Sequence, residues 1–210
     1  MKRFLLVGLL ALTLAGWWRY HARLQFLAGG ALVNLGYRLQ DPLEAYDLEH
    51  EEGTPAQVWS EFLMQNRAAA TVRTRWPRSN RHPVMVLVTC MDARLDTNEI
   101  AGDTRRYYYV LRLAGSALAG KDEEMLELAV SNGVKVVVFT THSDCAAEKA
   151  AADPAQRQRY PKLSQAVDER QARFDEFRGL PSIRAAEESG RLLVKWVDLD
   201  TLNERVSPRQ

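Results

Sequence analysis

Two short motifs contain the residue types that could carry chemistry in this chain. The first is Cys90-x-Asp92-x-Arg94, and the second is His142-x-x-Cys145. Two thiolates and one imidazole are ligands that zinc prefers, and three protein ligands leave one tetrahedral position open, as in catalytic zinc sites. We therefore predict a catalytic zinc site with Cys90, His142 and Cys145 as ligands. Asp92 and Arg94 alternate with the first cysteine and are expected to form a hydrogen-bonded pair beside it.

Each motif follows a run of apolar, largely β-branched residues that predicts a buried strand. Residues 84–88 precede the first motif, and residues 134–140 precede the second. Continuous apolar runs are typical of parallel strands that helices cover on both faces. Because ligands of such sheets bind beyond the carboxyl ends of the strands, we expect the two motifs to lie together at one sheet edge. Their separation leaves room for another strand and a crossover helix, as parallel pairing requires.

The pattern of the remaining residues predicts the elements that position the two motifs. A helix is expected to start at Thr54 as N-cap, with Pro55 as its first residue. Cys145 is expected near the N-terminus of another helix, where the helix dipole favours a thiolate. Residues 153–161 are expected to form a loop. Helices are predicted over residues 56–72, 122–132, 146–152 and 163–179. Two further strands are predicted over residues 106–111 and 192–197.

The two motifs, each after its apolar strand, resemble those of the β-class carbonic anhydrases. The resemblance extends from about residue 55 to residue 206, and the segment 110–115 is similar to the family's strand that ends in R-N-A-G. Two positions differ from the family pattern. Leu113 stands where the family usually has Asn, and Ala146 stands where Gly usually follows the second cysteine. Both positions are beside the predicted site, so they bear on rate and substrate more than on zinc binding.

The resemblance implies an α/β fold with a central, mostly parallel β-sheet flanked by helices. It implies Zn²⁺ as cofactor and the reversible hydration of carbon dioxide to bicarbonate and a proton. In that reaction a zinc-bound hydroxide, oriented by Asp92 and Arg94, attacks the small-molecule substrate. If Arg94 released Asp92, the carboxylate could close the open zinc position, and the resemblance implies that both states are reachable. It also implies a homodimer or a higher homo-oligomer.

Two other functions are compatible with the same residues. One is hydrolysis of a carbon dioxide analogue, carbon disulfide or carbonyl sulfide, by a similar metal site with different pocket access. The other is a non-catalytic zinc or disulfide domain, since Cys90 and Cys145 could form a disulfide in an oxidising compartment. Metal content separates a disulfide domain from the two enzymes, because zinc bound to the thiolates prevents the disulfide.

The N-terminus has the composition of a membrane or export segment. Lys2 and Arg3 precede an uncharged apolar run of about fifteen residues, shorter than the roughly 20 that a bilayer span needs. That length suits the core of a signal peptide, but Trp17 and Trp18 would hinder cleavage and are typical of a membrane interface. We expect residues 1–23 to be a signal-anchor or signal peptide that forms an N-terminal apolar helix. A buried helix is the alternative.

Composition divides the rest of the chain and limits its partners. We expect residues 24–54 to be a membrane-proximal segment and acidic linker, and residues 55–210 to be the zinc domain. The domain is expected outside the cytoplasm, in the periplasm, with the cytoplasmic face of the membrane as the alternative. A formal net charge of +1 gives no indication of nucleic-acid binding. Two cysteines are too few for a disulfide framework.

Overall fold

The described residues of the N-terminal part of the chain contain two helices. The computed structural model describes residues 2–40, 53–75, 82–101 and 108–209. They group into two compact units, Met1–Pro77 and Arg78–Gln210. The first unit contains α1 (Lys2–Gln40), which continues through Gly29 and Gly30, and α2 (Pro55–Arg75). Among the described residues, none of the helices combines the length and the apolar character needed to cross a membrane.

Helix α2 begins with the predicted cap. The backbone N–H of Gln57 donates to Thr54 Oγ1 at 3.3 Å, and the backbone N–H of Thr54 donates to Gln57 Oε1 at 2.7 Å. This reciprocal pair satisfies donors that the first helical turn leaves free. The domain boundary proposed before Pro55 stays a prediction, because α2 groups with α1 in the first unit. The acidic residues of the expected linker, 41–52, lie outside the described residues.

The second unit is built on a five-stranded sheet in the order β2-β1-β3-β4-β5. The first four strands are parallel to their neighbours, and β5 is antiparallel to β4. The predicted central, mostly parallel sheet is therefore confirmed. The strands are β1 (Met85–Cys90), β2 (Tyr108–Leu113), β3 (Val136–His142), β4 (Leu193–Leu199) and β5 (Val206–Pro208).

Strands β1 to β4 each end two residues later than predicted. In β1 and β3 the reason lies in the threonines near their carboxyl ends, which look like loop residues in the sequence. Thr89 and Thr140 are fully buried, and Thr140 Oγ1 donates to the carbonyl oxygen of Val88 at 3.1 Å. Their hydroxyl groups find partners inside the sheet, so the ladder continues up to the predicted metal ligands Cys90 and His142.

Helices cover the sheet and were predicted with one clear error. They are α3 (Thr97–Ala101), α4 (Gly120–Ser131), α5 (Ala146–Ala152), α6 (Pro154–Arg159), α7 (Pro161–Gly179) and α8 (Pro181–Glu188). The loop predicted over 153–161 is wrong, because α6 lies there. Asp153 caps α6 by accepting the N–H of Gln156 at 2.8 Å, and Pro154 suits the first helical turn. Helices α3 and α8 and strand β5 were not predicted.

The main core fixes β3 and β4 against α7. Phe139 of β3 packs edge-on against Phe174 of α7, with ring centroids 4.9 Å apart. The Phe174 ring is also 4.6 Å from that of Trp196 in β4. Phe177, one helical turn further along α7, is fully buried and completes the cluster. This packing holds the carboxyl end of β3, where the second motif begins, in a rigid frame.

Candidate metal centre

The three predicted zinc ligands lie together at the carboxyl edge of the sheet. Cys90 ends β1, His142 ends the neighbouring strand β3, and Cys145 immediately precedes α5. One donor atom from each residue lies within 4.8 Å of the others. Their exposed fractions are 3% for Cys90, 6% for His142 and 3% for Cys145. The structure therefore forms a buried Cys-His-Cys cluster able to hold a metal ion.

A sharp turn brings Cys145 back toward the strand ends. Asp144 has φ +63°, a left-handed conformation that Asp tolerates better than most residues because of its short polar side chain. Cys145 then takes the N-cap position of α5, as predicted. The turn lets two residues three apart in sequence offer ligands from a strand end and a helix start.

Gly115 closes the site from the β2 side, in the segment that resembles the R-N-A-G motif. Its φ is +60°, and a Cβ at this position would lie 3.1 Å from Val167 Cγ2 and 3.3 Å from the Cβ of Ala147. A side chain there would be strained and crowded. The close approach also directs the backbone N–H of Gly115 toward the Cys90 sulfur, together with the N–H of Asp92.

The two thiols of the cluster are in contact, and their pKa values are shifted in opposite directions. Their Sγ atoms are 4.0 Å apart, and the hydrogen bond from Cys145 lowers the pKa of the Cys90 thiol to about 5 against the opposing effect of burial. The same hydrogen bond, together with burial, raises the pKa of Cys145. We expected the helix N-terminus to favour a thiolate at Cys145. The pKa shifts instead favour the thiolate at Cys90, with Cys145 as its hydrogen-bond partner.

His142 offers one ring nitrogen to the cluster. Its Nδ1 is 3.0 Å from the carbonyl oxygen of Ser143, whereas Nε2 is buried and has no hydrogen-bond partner within the described residues. An unpartnered buried ring nitrogen costs stability unless a ligand satisfies it. Two adjacent sulfurs and this orphaned nitrogen fit the donor set of zinc.

The predicted pair of Asp92 and Arg94 forms at the first motif. Arg94 Nε donates to Asp92 Oδ1 at 3.0 Å, and Arg94 Nη2 donates to Oδ2 at 2.8 Å. The guanidinium holds the pKa of the Asp92 carboxyl far below its usual range. Asp92 is paired with Arg94 and is not part of the Cys-His-Cys cluster. The catalytic roles of the two residues stay predictions.

Two residues that sequence reasoning did not assign to the site support this pair. Asp144 accepts from Arg94 Nη1 at 3.0 Å, and its carbonyl oxygen accepts from Arg94 Nη2 at 3.0 Å. Arg112 Nη2 donates to the carbonyl oxygens of Asp92 and Leu95 at 2.7 and 3.0 Å. An arginine within an otherwise apolar and aromatic strand was the available signal for Arg112. For Asp144 the available signal in the sequence was its position inside the second motif.

The two residues that depart from the family pattern contribute no metal ligand. Leu113 is the register partner of Cys90 at the end of β2, and its carbonyl oxygen accepts the N–H of Met91 at 3.1 Å. Its side chain packs partly buried against the main core. Ala146 is the first residue of α5 and is exposed. Both therefore lie beside the cluster.

Comparison with solved structures shows a shared fold at low sequence identity. The β-carbonic anhydrase CcaA has a TM-score of 0.55 and 17% identity, covering 73% of this chain and 94% of that one. The tetrameric β-carbonic anhydrases from Sordaria macrospora have a TM-score of 0.54 and 18% identity, covering 72% of this chain and 96% of that one. Carbonic anhydrase from Streptococcus mutans has a TM-score of 0.53 and 20% identity, covering 72% of this chain and 97% of that one.

A comparison with curated proteins found no match. The family model described as carbonic anhydrase, in contrast, matches residues 85–197. That segment is more than half of the 210 residues and runs from β1 through β4, so it contains both motifs. With the fold of the β-class enzymes and the buried Cys-His-Cys cluster at its sheet edge, this chain belongs to the carbonic anhydrase family.

Proposed function

We propose that the protein catalyses the reversible hydration of carbon dioxide to bicarbonate and a proton, with zinc held by Cys90, His142 and Cys145. The observation that carries the proposal is the buried cluster of three donor atoms within 4.8 Å, in a chain of this family. Three protein ligands leave one position for water or substrate, as a catalytic zinc site requires. Bound there, zinc would lower the pKa of a water molecule and so supply a nucleophile near neutral pH.

The Asp92 carboxylate is suited to orient a water molecule that attacks the substrate. An Asp carboxyl is ionised at physiological pH, and the hydrogen bonds from Arg94 lower the pKa of Asp92 further. An ionised carboxylate only accepts hydrogen bonds, so it can hold a water with the oxygen lone pairs directed elsewhere. Asp144 and Arg112 fix Arg94 and the backbone of Asp92, which keeps the geometry of the pair constant.

The apolar surface beside the cluster suits a small uncharged substrate. Cys90, Leu95, Cys145 and Leu199 form a buried apolar group around the sulfurs. Leu113 stands next to Cys90 in the sheet register, where the family usually has a polar side chain. Carbon dioxide is linear and apolar and needs little recognition beyond such a surface.

Assembly and location belong to the same proposal. We propose a homo-oligomer, at least a dimer, since α2 has no buried residue and exposes 60% of Trp59 and 55% of Phe62. The structures from Sordaria macrospora are described as tetrameric, which supports this assembly for the present chain. We further propose, from the sequence alone, that the N-terminal segment attaches the protein to a membrane with the zinc domain outside the cytoplasm.

The test measures metal and activity on the same full-length preparation. We expect one zinc per chain by mass spectrometry of the metal, and hydration of carbon dioxide by stopped flow well above the uncatalysed rate. The Cys90→Ser variant serves as the control that lacks both. A zinc-loaded protein that hydrolyses carbon disulfide but does not hydrate carbon dioxide would redirect the proposal to the sulfur analogue. A metal-free protein with a Cys90–Cys145 disulfide would overturn it.

A further inference from the structure

The turn between β4 and β5 approaches the second motif and is rigid in itself. The N–H of Asp200 donates to the carbonyl oxygen of Arg205 at 3.1 Å. The N–H of Glu204 donates to the carbonyl oxygen of Asp200 at 2.7 Å. The Asp200 carboxylate accepts the N–H of Leu202 at 2.9 Å and the amide of Asn203 at 2.7 Å. Thr201 is therefore held in a fixed position by a turn that closes on its own polar groups.

The far side of the same turn contacts the loop after the first motif. The backbone N–H of Asp96 donates to Glu204 Oε1 in a short hydrogen bond. Leu95, the preceding residue, is buried against Cys90, Cys145 and Leu199. The turn thus reaches the surroundings of both cysteines as well as those of His142.

Thr201 and Ser143 form a closed set of hydrogen bonds around His142 Nδ1. Nδ1 lies 3.0 Å from the carbonyl oxygen of Ser143 and 3.3 Å from Thr201 Oγ1. The N–H of Thr201 donates to Ser143 Oγ at 3.1 Å, and the two hydroxyl oxygens are 3.0 Å apart. Thr201 Oγ1 also contacts the Ser143 carbonyl oxygen.

One assignment of the hydrogens satisfies all of these contacts together. A carbonyl oxygen only accepts, so both His142 Nδ1 and Thr201 Oγ1 must donate to the Ser143 carbonyl. The Thr201 hydroxyl then accepts from the Ser143 hydroxyl, whose own oxygen accepts the N–H of Thr201. With Nδ1 protonated, the neutral ring must carry its lone pair on Nε2, which is the buried atom without a partner in the described residues.

We infer that Thr201 and Ser143 are positioning residues that fix the tautomer and orientation of His142 so that Nε2 is ready to bind the metal. The inference rests on the proposed function, because it assigns a purpose to residues behind the proposed zinc ligand. The hydrogen bond on the outer nitrogen of a ligating histidine fixes its orientation and strengthens it as a ligand. Here the sequence separates Thr201 from His142 by 59 residues, so the turn supplies this partner through the fold.

The experiment removes the hydroxyl group of Thr201 and keeps the shape of its side chain. Thr201→Val removes Oγ1 from the network, and Thr201→Ser retains it. In the full-length protein, metal-free and kept reduced, long-range ¹⁵N spectra of the histidine rings report the tautomer, with the His142→Ala variant identifying the signal. Zinc affinity is measured by competition with a chelator of known affinity. Thr74→Val is the matched control, because the Thr74 hydroxyl donates only within α2, to Ala70 O at 2.9 Å.

We expect the parent to show His142 with Nδ1 protonated and Nε2 bare. Thr201→Val should increase the population protonated on Nε2 and weaken zinc binding by roughly 10- to 100-fold, the usual effect of losing such a partner. Thr201→Ser should restore both values, and Thr74→Val should leave both unchanged.

A parent with Nε2 protonated would overturn the inference, and so would a folded Thr201→Val protein with the parent's zinc affinity and tautomer. If Thr201→Val does not fold, the tautomer of the parent and the zinc affinity of Ser143→Ala decide in its place. The tautomer is measured without metal. The two proposals can therefore fail separately. If the parent has an unprotonated Nε2 and Thr201→Val binds zinc more weakly, the positioning role is upheld. If that same parent does not hydrate carbon dioxide, the proposed function is disproved.

Discussion

Arg94 donates to Asp144 twice, to its carboxylate and to its carbonyl oxygen, each at 3.0 Å. The two residues belong to different motifs and are 50 positions apart in the sequence. Because the same guanidinium also holds Asp92, it joins the loop after β1 to the turn that carries Cys145. The ligands and the acidic side chain beside them are thus parts of one hydrogen-bonded unit.

Loss of any single ligand should remove zinc and activity together. Cys90→Ser, His142→Ala and Cys145→Ser each leave two of the three donors, and a site with three protein ligands has no redundancy. The measurement is zinc content together with the stopped-flow hydration rate. Stoichiometric zinc in the Cys145→Ser protein would contradict the ligand assignment.

Neutralising Asp92 should separate metal binding from catalysis. Asp92→Asn keeps the shape but loses the charged acceptor, so we expect zinc retention with hydration reduced at least about 10²-fold, within the usual range for acid–base groups. Arg94→Ala should free the carboxylate from its pair and also reduce the rate. Asp175→Asn, whose side chain accepts only from the amide of Gln171, is the control. If both Asp92→Asn and Arg94→Ala hydrate carbon dioxide at the parent rate, the pair is only a surface ion pair without a catalytic role.

The ion pair between α6 and α7 should contribute to stability only above acidic pH. Arg157 binds Asp168 with two hydrogen bonds, at 2.8 and 3.0 Å, and lowers the pKa of the Asp168 carboxyl. Since the folded-state pKa is below the unfolded value of about 3.9, the contribution is complete above that value and disappears as pH falls through the folded pKa.

The comparison of Asp168→Asn with the parent checks this sign. We expect a small loss of stability for Asp168→Asn near pH 7, measured by urea denaturation, and convergence of the two proteins at the acidic end. Asp175→Asn should follow the parent more closely. A loss of the same size at every pH would show that charge is not the cause.

Assembly should depend on the exposed aromatic face of α2. The rings of Trp59 and Phe62 stack with centroids 5.5 Å apart on the surface of the helix. Replacing both by Ser should shift the protein to a smaller species in light scattering. Met64→Ser is the control, because Met64 is also exposed but points to the other side of the helix. A parent protein that is monomeric and fully active at low concentration would contradict the prediction.

Location remains a prediction from the basic residues and the apolar run at the N-terminus. Lys2 and Arg3 favour a cytoplasmic N-terminus, while Arg19 and Arg23 weaken that preference. We expect alkaline phosphatase fused after Gln210 to be active, because that enzyme folds outside the cytoplasm. Fluorescence from a fusion that folds only in the cytoplasm would establish the opposite topology.

Residue type and local periodicity were enough to predict strands β1 to β4 and the Cys-His-Cys cluster. The apolar runs before Cys90 and His142 predicted buried parallel strands, and the chemistry of Cys90, His142 and Cys145 predicted zinc. Hydrophobic burial is recognisable from neighbours along the chain. Helix α5 and the cap of α2 were predicted for the same reason, since their signals lie within a few residues.

The supporting contacts had no such local signature. Asp144 and Thr201 are polar residues in turns, and their partners, Arg94 and His142, are 50 and 59 residues away. Such partners are determined by sheet order and by the packing of distant elements. Likewise the lowered pKa of Cys90 depends on a sulfur 4.0 Å away, which belongs to a residue 55 positions along the chain. The chain's local chemistry therefore predicted the residues of the Cys-His-Cys cluster, whereas long-range packing determines which groups surround them.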